Sequence, residues 1–248
     1  MFKYSNVDYA CLSEKGNVKL SNEDAACIIR NKSGDILMVV ADGIGGQNRS
    51  DYASKMVIDY FSSVFQKKNS FFNNFFAKRW LTSQIKKVNK IIFQLSKKSK
   101  IYYGMGTTVV VALIRKNKII IINVGDSRAY LFDSHTNTLC LLSKDHDFLS
   151  ASNVLKNKSD SEKEKYKNVI LNAIGVYSYI DPYCNVIKAD KFQLLLCSDG
   201  LTKTIEESEI INILSKKSSA AFITRDLINS ANKNGGIDNI SVAYCFRG

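Results

Sequence analysis

Thr107-Thr-Val-Val-Val-Ala-Leu-Ile-Arg-Lys-Asn-Lys-Ile-Ile-Ile-Ile-Asn-Val-Gly-Asp-Ser-Arg-Ala-Tyr-Leu-Phe-Asp133 is the stretch on which the fold turns. Its β-branched runs are divided by two turn signals, Lys116-Asn117 and Gly125-Asp126. They predict strands at Thr107–Arg115, Lys118–Val124 and Ser127–Asp133. Within Val109–Ile114 both strand faces are apolar. A strand apolar on both faces must be covered on both, so the sheet is buried between other layers.

Outward from this centre, Asp35–Ala41 is a second apolar run behind the turn Asn31-Lys-Ser-Gly34, pairing as a hairpin with Ala25–Arg30. Ser50–Gln66 is helical by period, with Ala53, Val57, Tyr60, Phe61 and Val64 on one face and Ser50 as the expected N-cap. A second helix is expected over about Phe72–Ser96, where Leu81, Ile85, Val88, Ile92 and Leu95 repeat at 3–4 spacing. Lys191–Ser198 and Ile240–Phe246 read as strands, and Glu206–Ser215 and Ala220–Asn232 as amphipathic helices. Strands and helices in blocks, without regular βα alternation, predict an α+β layered domain. Asp145–Lys167 is polar and weakly periodic, a surface insertion.

The 248 residues carry 45% hydrophobic and 23% charged side chains, which excludes wholesale disorder. Neither a secretory signal nor an apolar run of about 20 residues is present, so a cytoplasmic protein without a membrane partner is expected. The six cysteines form no C-x-x-C pair and read as reduced, mostly buried thiols. The net charge of +12 sets 35 lysines and arginines against 23 acidic residues, and lysine outnumbers arginine 28 to 7. Without arginine clustering it reads as a lysine-rich surface, not as a nucleic-acid footprint.

The acids fall in a pattern. Glu23-Asp24, Asp42, Asp126, Asp199 and Asp238 each adjoin a buried apolar run, most beside glycine or asparagine. One such Asp-Gly is ordinarily a turn. Five at strand ends exceed what turns explain. Carboxylates gathered at one edge repel each other unless a cation lies among them. Oxygen donors with two histidines and no paired cysteines select Mg²⁺ or Mn²⁺ over zinc.

Eight blocks carry a resemblance: Lys19-Leu-Ser-Asn-Glu-Asp-Ala25, Val40-Ala-Asp-Gly-Ile-Gly-Gly46, Gly104-Met-Gly-Thr-Thr108, Asn123-Val-Gly-Asp-Ser-Arg-Ala-Tyr-Leu131, Leu142-Ser-Lys-Asp-His146, Asn168-Val-Ile-Leu-Asn-Ala-Ile-Gly175, Leu195-Leu-Cys-Ser-Asp-Gly-Leu-Thr202 and Gly235-Gly-Ile-Asp-Asn-Ile-Ser-Val242. In order and spacing the chain resembles the metal-dependent Ser/Thr protein phosphatases of the protein phosphatase 2C family, in their compact bacterial form. The resemblance implies a four-layer α-β-β-α sandwich, two central antiparallel sheets flanked by helix pairs, as one catalytic domain over residues 1–248 with a flap at about 145–172. It implies that Asp42 bridges two Mn²⁺ or Mg²⁺ ions with the Gly43 carbonyl on one. Asp199 and Asp238 would complete the other, Glu23 and Asp24 would hold water around the ions, and Asp126 with Asp199 would form a weaker third site. A water activated by the ions would attack phosphorus directly. Thr107, Thr108 and Arg128 would organise the site, and Asn239 would support it.

Two departures stand out. Lys19 occupies the place of the family's phosphate-gripping arginine, and Ile44 that of the histidine in eukaryotic relatives. Lysine keeps the charge but loses the bidentate fork. The expected partners are a phosphorylated protein and a cognate Ser/Thr kinase, acting on a monomer. The alternative on the same fold, a pseudophosphatase binding module, would lack metal carboxylates, and every expected one is present.

Overall fold

A computed structural model describes residues 7–45, 49–98, 100–146 and 170–248. The elements run β1 (Val7–Glu14), β2 (Asp24–Arg30), β3 (Ile36–Ile44), α1 (Ser50–Gln66), α2 (Asn74–Lys98), β4 (Gly106–Thr107), β5 (Val109–Arg115), β6 (Lys118–Val124), β7 (Arg128–Asp133), β8 (Thr138–Leu141), β9 (Tyr183–Lys188), β10 (Phe192–Cys197), α3 (Asp199–Thr202), α4 (Glu207–Leu214), α5 (Ala220–Lys233) and β11 (Ile240–Arg247). One sheet has the order β1-β11-β10-β7-β8 and the other β2-β3-β5-β6-β9, with β4 added to β3. Every strand pair among the described residues is antiparallel.

The two-faced apolar strands explain the layering. Val110, Ala112 and Ile114 of β5 and Ile119 and Ile121 of β6 meet Ala129, Leu194, Leu196, Ala243 and Cys245 of the opposing sheet. The alternate residues, Val109, Val111, Leu113, Ile120 and Ile122, pack against Val57, Phe61 and Phe65 of α1 and Leu81, Ile85 and Ile92 of α2. Likewise the outer face of the first sheet, through Leu195, Cys197, Val242 and Tyr244, packs on Ile210 and Ile213 of α4 and Ile223 and Leu227 of α5. Period-2 alternation assigns each residue to one of these interfaces. Each fully buried aliphatic side chain contributes about 1.5–3 kcal/mol. The result is the expected α-β-β-α sandwich.

Some sequence expectations are corrected. Ser50 is not the N-cap of α1. Arg49 takes that place, with φ of 56°, and Ser50 is buried in the first turn. The reason is packing: the Ser50 carbonyl lies where a Cβ on Gly43 would fall, so Ser50 is committed to the strand–helix contact. The strand expected over Thr107–Arg115 is broken at Thr108, whose side chain serves the site described below. The cysteines are free, but only Cys197 and Cys245 are buried; Cys11 and Cys140 are exposed and Cys27 and Cys184 half-buried. Cys11, Cys140 and Cys184 lie on β1, β8 and β9, which are edge strands and are covered on fewer sides. The expected insertion and flap fall largely on residues 147–169, outside the described residues.

Candidate metal centre

Antiparallel pairing brings one set of strand ends to a single edge. β2 begins with Asp24 directly opposite Asp42 near the end of β3. Asp126 lies in the turn from β6 to β7, Asp199 follows β10, and Asp238 precedes β11. Residues more than 200 positions apart thereby face one another.

The backbone at Asp42 is clamped. Its carbonyl accepts from Thr107 Oγ1 at 2.8 Å and from the Thr108 amide at 2.8 Å. Its own amide donates to Thr108 Oγ1 at 3.1 Å, and that hydroxyl shares a 2.6 Å hydrogen bond with Ser127 Oγ. Thr107 and Thr108 thus direct their hydroxyls to the Asp42 backbone and to Ser127. Glycine is required at 43, because a Cβ there would lie 2.6 Å from both the Glu23 and the Ser50 carbonyl oxygens. The Gly43 amide donates to the Glu23 carbonyl at 3.2 Å. Asn239 ties the third side: its Oδ1 accepts from the Glu23 amide at 2.9 Å, and its Nδ2 donates to the Lys15 and Ser21 carbonyls, each at 2.8 Å. Arg128 holds Asp145 bidentately, Nη2 donating to Oδ2 at 2.7 Å and Nε to Oδ1 at 3.2 Å. His146 accepts from the Gly125 amide at Nδ1, 3.2 Å, and its amide donates to the Gly125 carbonyl at 3.0 Å, so it braces the Asp126 turn. His135 is exposed in the β7–β8 turn.

The carboxyls are electrostatically stressed. Burial drives Asp42 well above the usual range, and the charges of Asp24, Asp199, Asp126 and Asp238 add to the rise. Burial pushes Asp24 up to about 7; the Ser198 and Ser241 hydroxyls oppose this while Asp199 and Asp238 reinforce it. Burial and the Asp199 charge push Asp126 up to about 7. Asp238 differs. Burial alone would raise it, yet Lys19 and Lys203 hold it below the usual range.

The fit to divalent cations rests on unsatisfied atoms. Asp24 Oδ2, Asp126 Oδ1 and Asp199 Oδ1 are buried with no hydrogen-bond partner among the described residues. An unpaired buried carboxylate oxygen is costly, and a hard cation is the partner that answers several at once. The set nevertheless is not a finished cage: among the described residues no three Asp, Glu, His or Cys side chains stand in an arrangement that holds an ion as it is. At the outer side lysines take that place. Lys203 Nζ pairs with Asp199 Oδ2 and, at 3.3 Å, with Asp238 Oδ2, and Lys19 Nζ lies 2.8 Å from Asp238 Oδ1. Lys203 is a site neighbour that the motifs do not single out as they do Lys19; its only sequence signal is the i,i+4 spacing from Asp199.

These shifts carry a pH dependence. Asp24 and Asp126 near 7 in the fold, against about 3.9 unfolded, bind more protons folded than unfolded between those values. Stability of the metal-free protein therefore falls as pH rises through that window. In EDTA the melting temperature is expected to be lower at about pH 8 than at about pH 5. An Asp24→Asn/Asp126→Asn double variant should flatten the slope. A wild-type melting temperature that is constant or rising with pH contradicts the assignment.

The Protein phosphatase 2C family model matches residues 15–240. The chain is 34% identical over 235 residues to the serine/threonine phosphatase stp of Listeria welshimeri serovar 6b, covering 93% of this chain and 92% of that protein. It is 31% identical over 243 residues to the protein phosphatase PhpP of Streptococcus pneumoniae serotype 2, covering 96% of each. The crystal structure of the serine/threonine phosphatase Stp1 from Staphylococcus aureus superposes with a TM-score of 0.89 at 30% identity, covering 98% and 95% of the two chains. The catalytic domain of the serine threonine protein phosphatase PstP, in complex with 2 manganese ions, superposes at 0.81 and 25% identity, covering 97% and 98%.

Proposed function

The chain belongs to the protein phosphatase 2C family and is a divalent-metal-dependent protein serine/threonine phosphatase, and from this premise we propose that it hydrolyses phosphoserine and phosphothreonine in proteins at the carboxylate cluster. The observation that carries the reading is the trio of buried, unpartnered oxygens on Asp24, Asp126 and Asp199 around Asp42. Asp42, Asp199 and Asp238, together with the Gly43 carbonyl, would hold two Mn²⁺ or Mg²⁺ ions. Glu23 and Asp24 would hold water around them, and Asp126 with Asp199 would hold a third ion. When bound, such ions supply a water activated for direct attack on the phosphoryl group and positive charge for its oxygens.

The chain's own residues favour attack by water over a covalent route. Cys197, two residues before Asp199, is buried and its thiol is pushed up to about 12, so it stays protonated. Burial also pushes the Cys27 and Cys245 thiols up to about 12. Thr107 and Thr108 spend their hydroxyls on the Asp42 backbone and its neighbours. Lys19, half-exposed beside Asp238, would meet a substrate phosphate at the rim. Its point charge attracts the phosphate without fixing its orientation.

The substrate class is a phosphorylated protein, with a cognate Ser/Thr kinase as the enzyme that supplies it, and the working unit is a monomer. No helix among the described residues is long and apolar enough to cross a membrane. The test is hydrolysis of phosphoserine and phosphothreonine peptides by EDTA-stripped protein, with and without added Mn²⁺. Activity restored by the metal is the expected result; a folded protein inert at every metal concentration leaves the binding-module alternative. In the same assay Lys19→Ala is expected to raise KM about three- to tenfold with kcat largely retained. An unchanged KM and kcat would remove Lys19 from the site.

A further inference from the structure

The oxygens of the cluster divide into two unequal sets. On the inner side Asp24 Oδ2, Asp126 Oδ1 and Asp199 Oδ1 have no partner among the described residues. On the outer side every carboxylate oxygen of Asp238 is taken: Oδ1 by Lys19 Nζ at 2.8 Å and by the Asn239 amide at 2.9 Å, Oδ2 by Lys203 Nζ at 3.3 Å. The same ammonium pairs with Asp199 Oδ2. Its placement is built into the fold. The four-residue helix α3 turns the chain back so that the Lys203 amide donates to the Asp199 carbonyl at 2.8 Å, which lays the side chain over the carboxylate four residues earlier. The Lys203 side chain is 30% exposed and that of Asp199 17%, so the contact is shielded from solvent.

We propose that Lys203 is a resident cation of the outer ion position, so that a divalent ion binding between Asp199 and Asp238 must displace its ammonium. This rests on the dimetal reading above and adds an order to it. The position that Asp42 and the Gly43 carbonyl would hold, on which no ammonium is paired among the described residues, fills first and tightly. The outer position fills second and weakly, because each new metal–oxygen contact replaces an ammonium–oxygen contact that already neutralises the carboxylate. Lys19 shares Asp238 but is 47% exposed and touches one oxygen of one carboxylate, so it yields more readily. Lys203 thereby sets the divalent-ion concentration at which the site becomes complete.

The test is calorimetric titration of the EDTA-stripped full-length chain with MnCl₂, for wild type, Lys203→Met and Lys203→Arg, with Lys203→Gln as a second neutral variant should the methionine form misfold. Wild type is expected to take up manganese in two classes, one tight and one weak. A neutral side chain at 203 should tighten the weak class by about tenfold or more and leave the tight class unchanged, while Lys203→Arg keeps the wild-type pattern. A weak class that does not move in the neutral variants overturns the role of Lys203 while leaving the dimetal reading intact. So does a wild type with two equal sites. No uptake by any folded form overturns both.

Discussion

Asp42→Asn is expected to lower kcat/KM on a phosphothreonine peptide by about three orders of magnitude or more, the loss of about 4 kcal/mol of transition-state stabilisation. The size follows from position. Asp42 alone among the cluster is assigned to both ion positions, and its carboxyl feels the charges of Asp24, Asp126, Asp199 and Asp238. Asparagine keeps the shape and the backbone clamp from Thr107 and Thr108, so the fold should survive. The variant should also melt higher than wild type in EDTA, because it removes a buried charge from a set of like charges. Activity within tenfold of wild type, measured at saturating Mn²⁺, would sink the bridging role.

The second large effect is on stability. Gly200→Ala would place a Cβ 1.9 Å from the Asn239 carbonyl oxygen and 3.4 Å from Asp238 Cβ. Backbone must move, and that backbone is pinned by the Asn239 side chain to Glu23, Lys15 and Ser21. A cost of about 2–4 kcal/mol is expected, read as a lower urea midpoint with an unchanged slope. Because the strain falls between Asp199 and Asp238, manganese uptake should weaken as well. Stability within about 0.5 kcal/mol of wild type would show that α3 and the β11 entry can separate at little cost.

Much of this molecule is legible residue by residue. Lys118–Val124 and Ser50–Gln66 form the elements expected of them at the expected limits, because their apolar periods are long and unambiguous. The edge strands β1, β8 and β9 carry mixed or exposed patterns such as Thr138-Leu-Cys-Leu141, and neither β8 nor β9 declares itself in the sequence. Pairing along one side defines an edge strand more than burial does. The exposure of Cys11 and Cys140 has the same cause: an apolar neighbourhood in sequence is not a covered one in space.

The acids themselves were recognisable from their places beside buried runs and glycines, and the eight ordered blocks named their chemistry. Those are local properties, since alternation and turn chemistry act over a few residues. The charge state of the cluster is of another kind. That burial, reinforced by Asp199 and Asp238, raises Asp24, and that Asp238 is instead lowered by Lys19 and Lys203, depends on distances between residues up to 219 positions apart and on how much water remains between them. Coulomb energy and desolvation are functions of that three-dimensional spacing, so only the folded arrangement decides which carboxylate oxygens are left without a partner among the described residues and which already hold an ammonium.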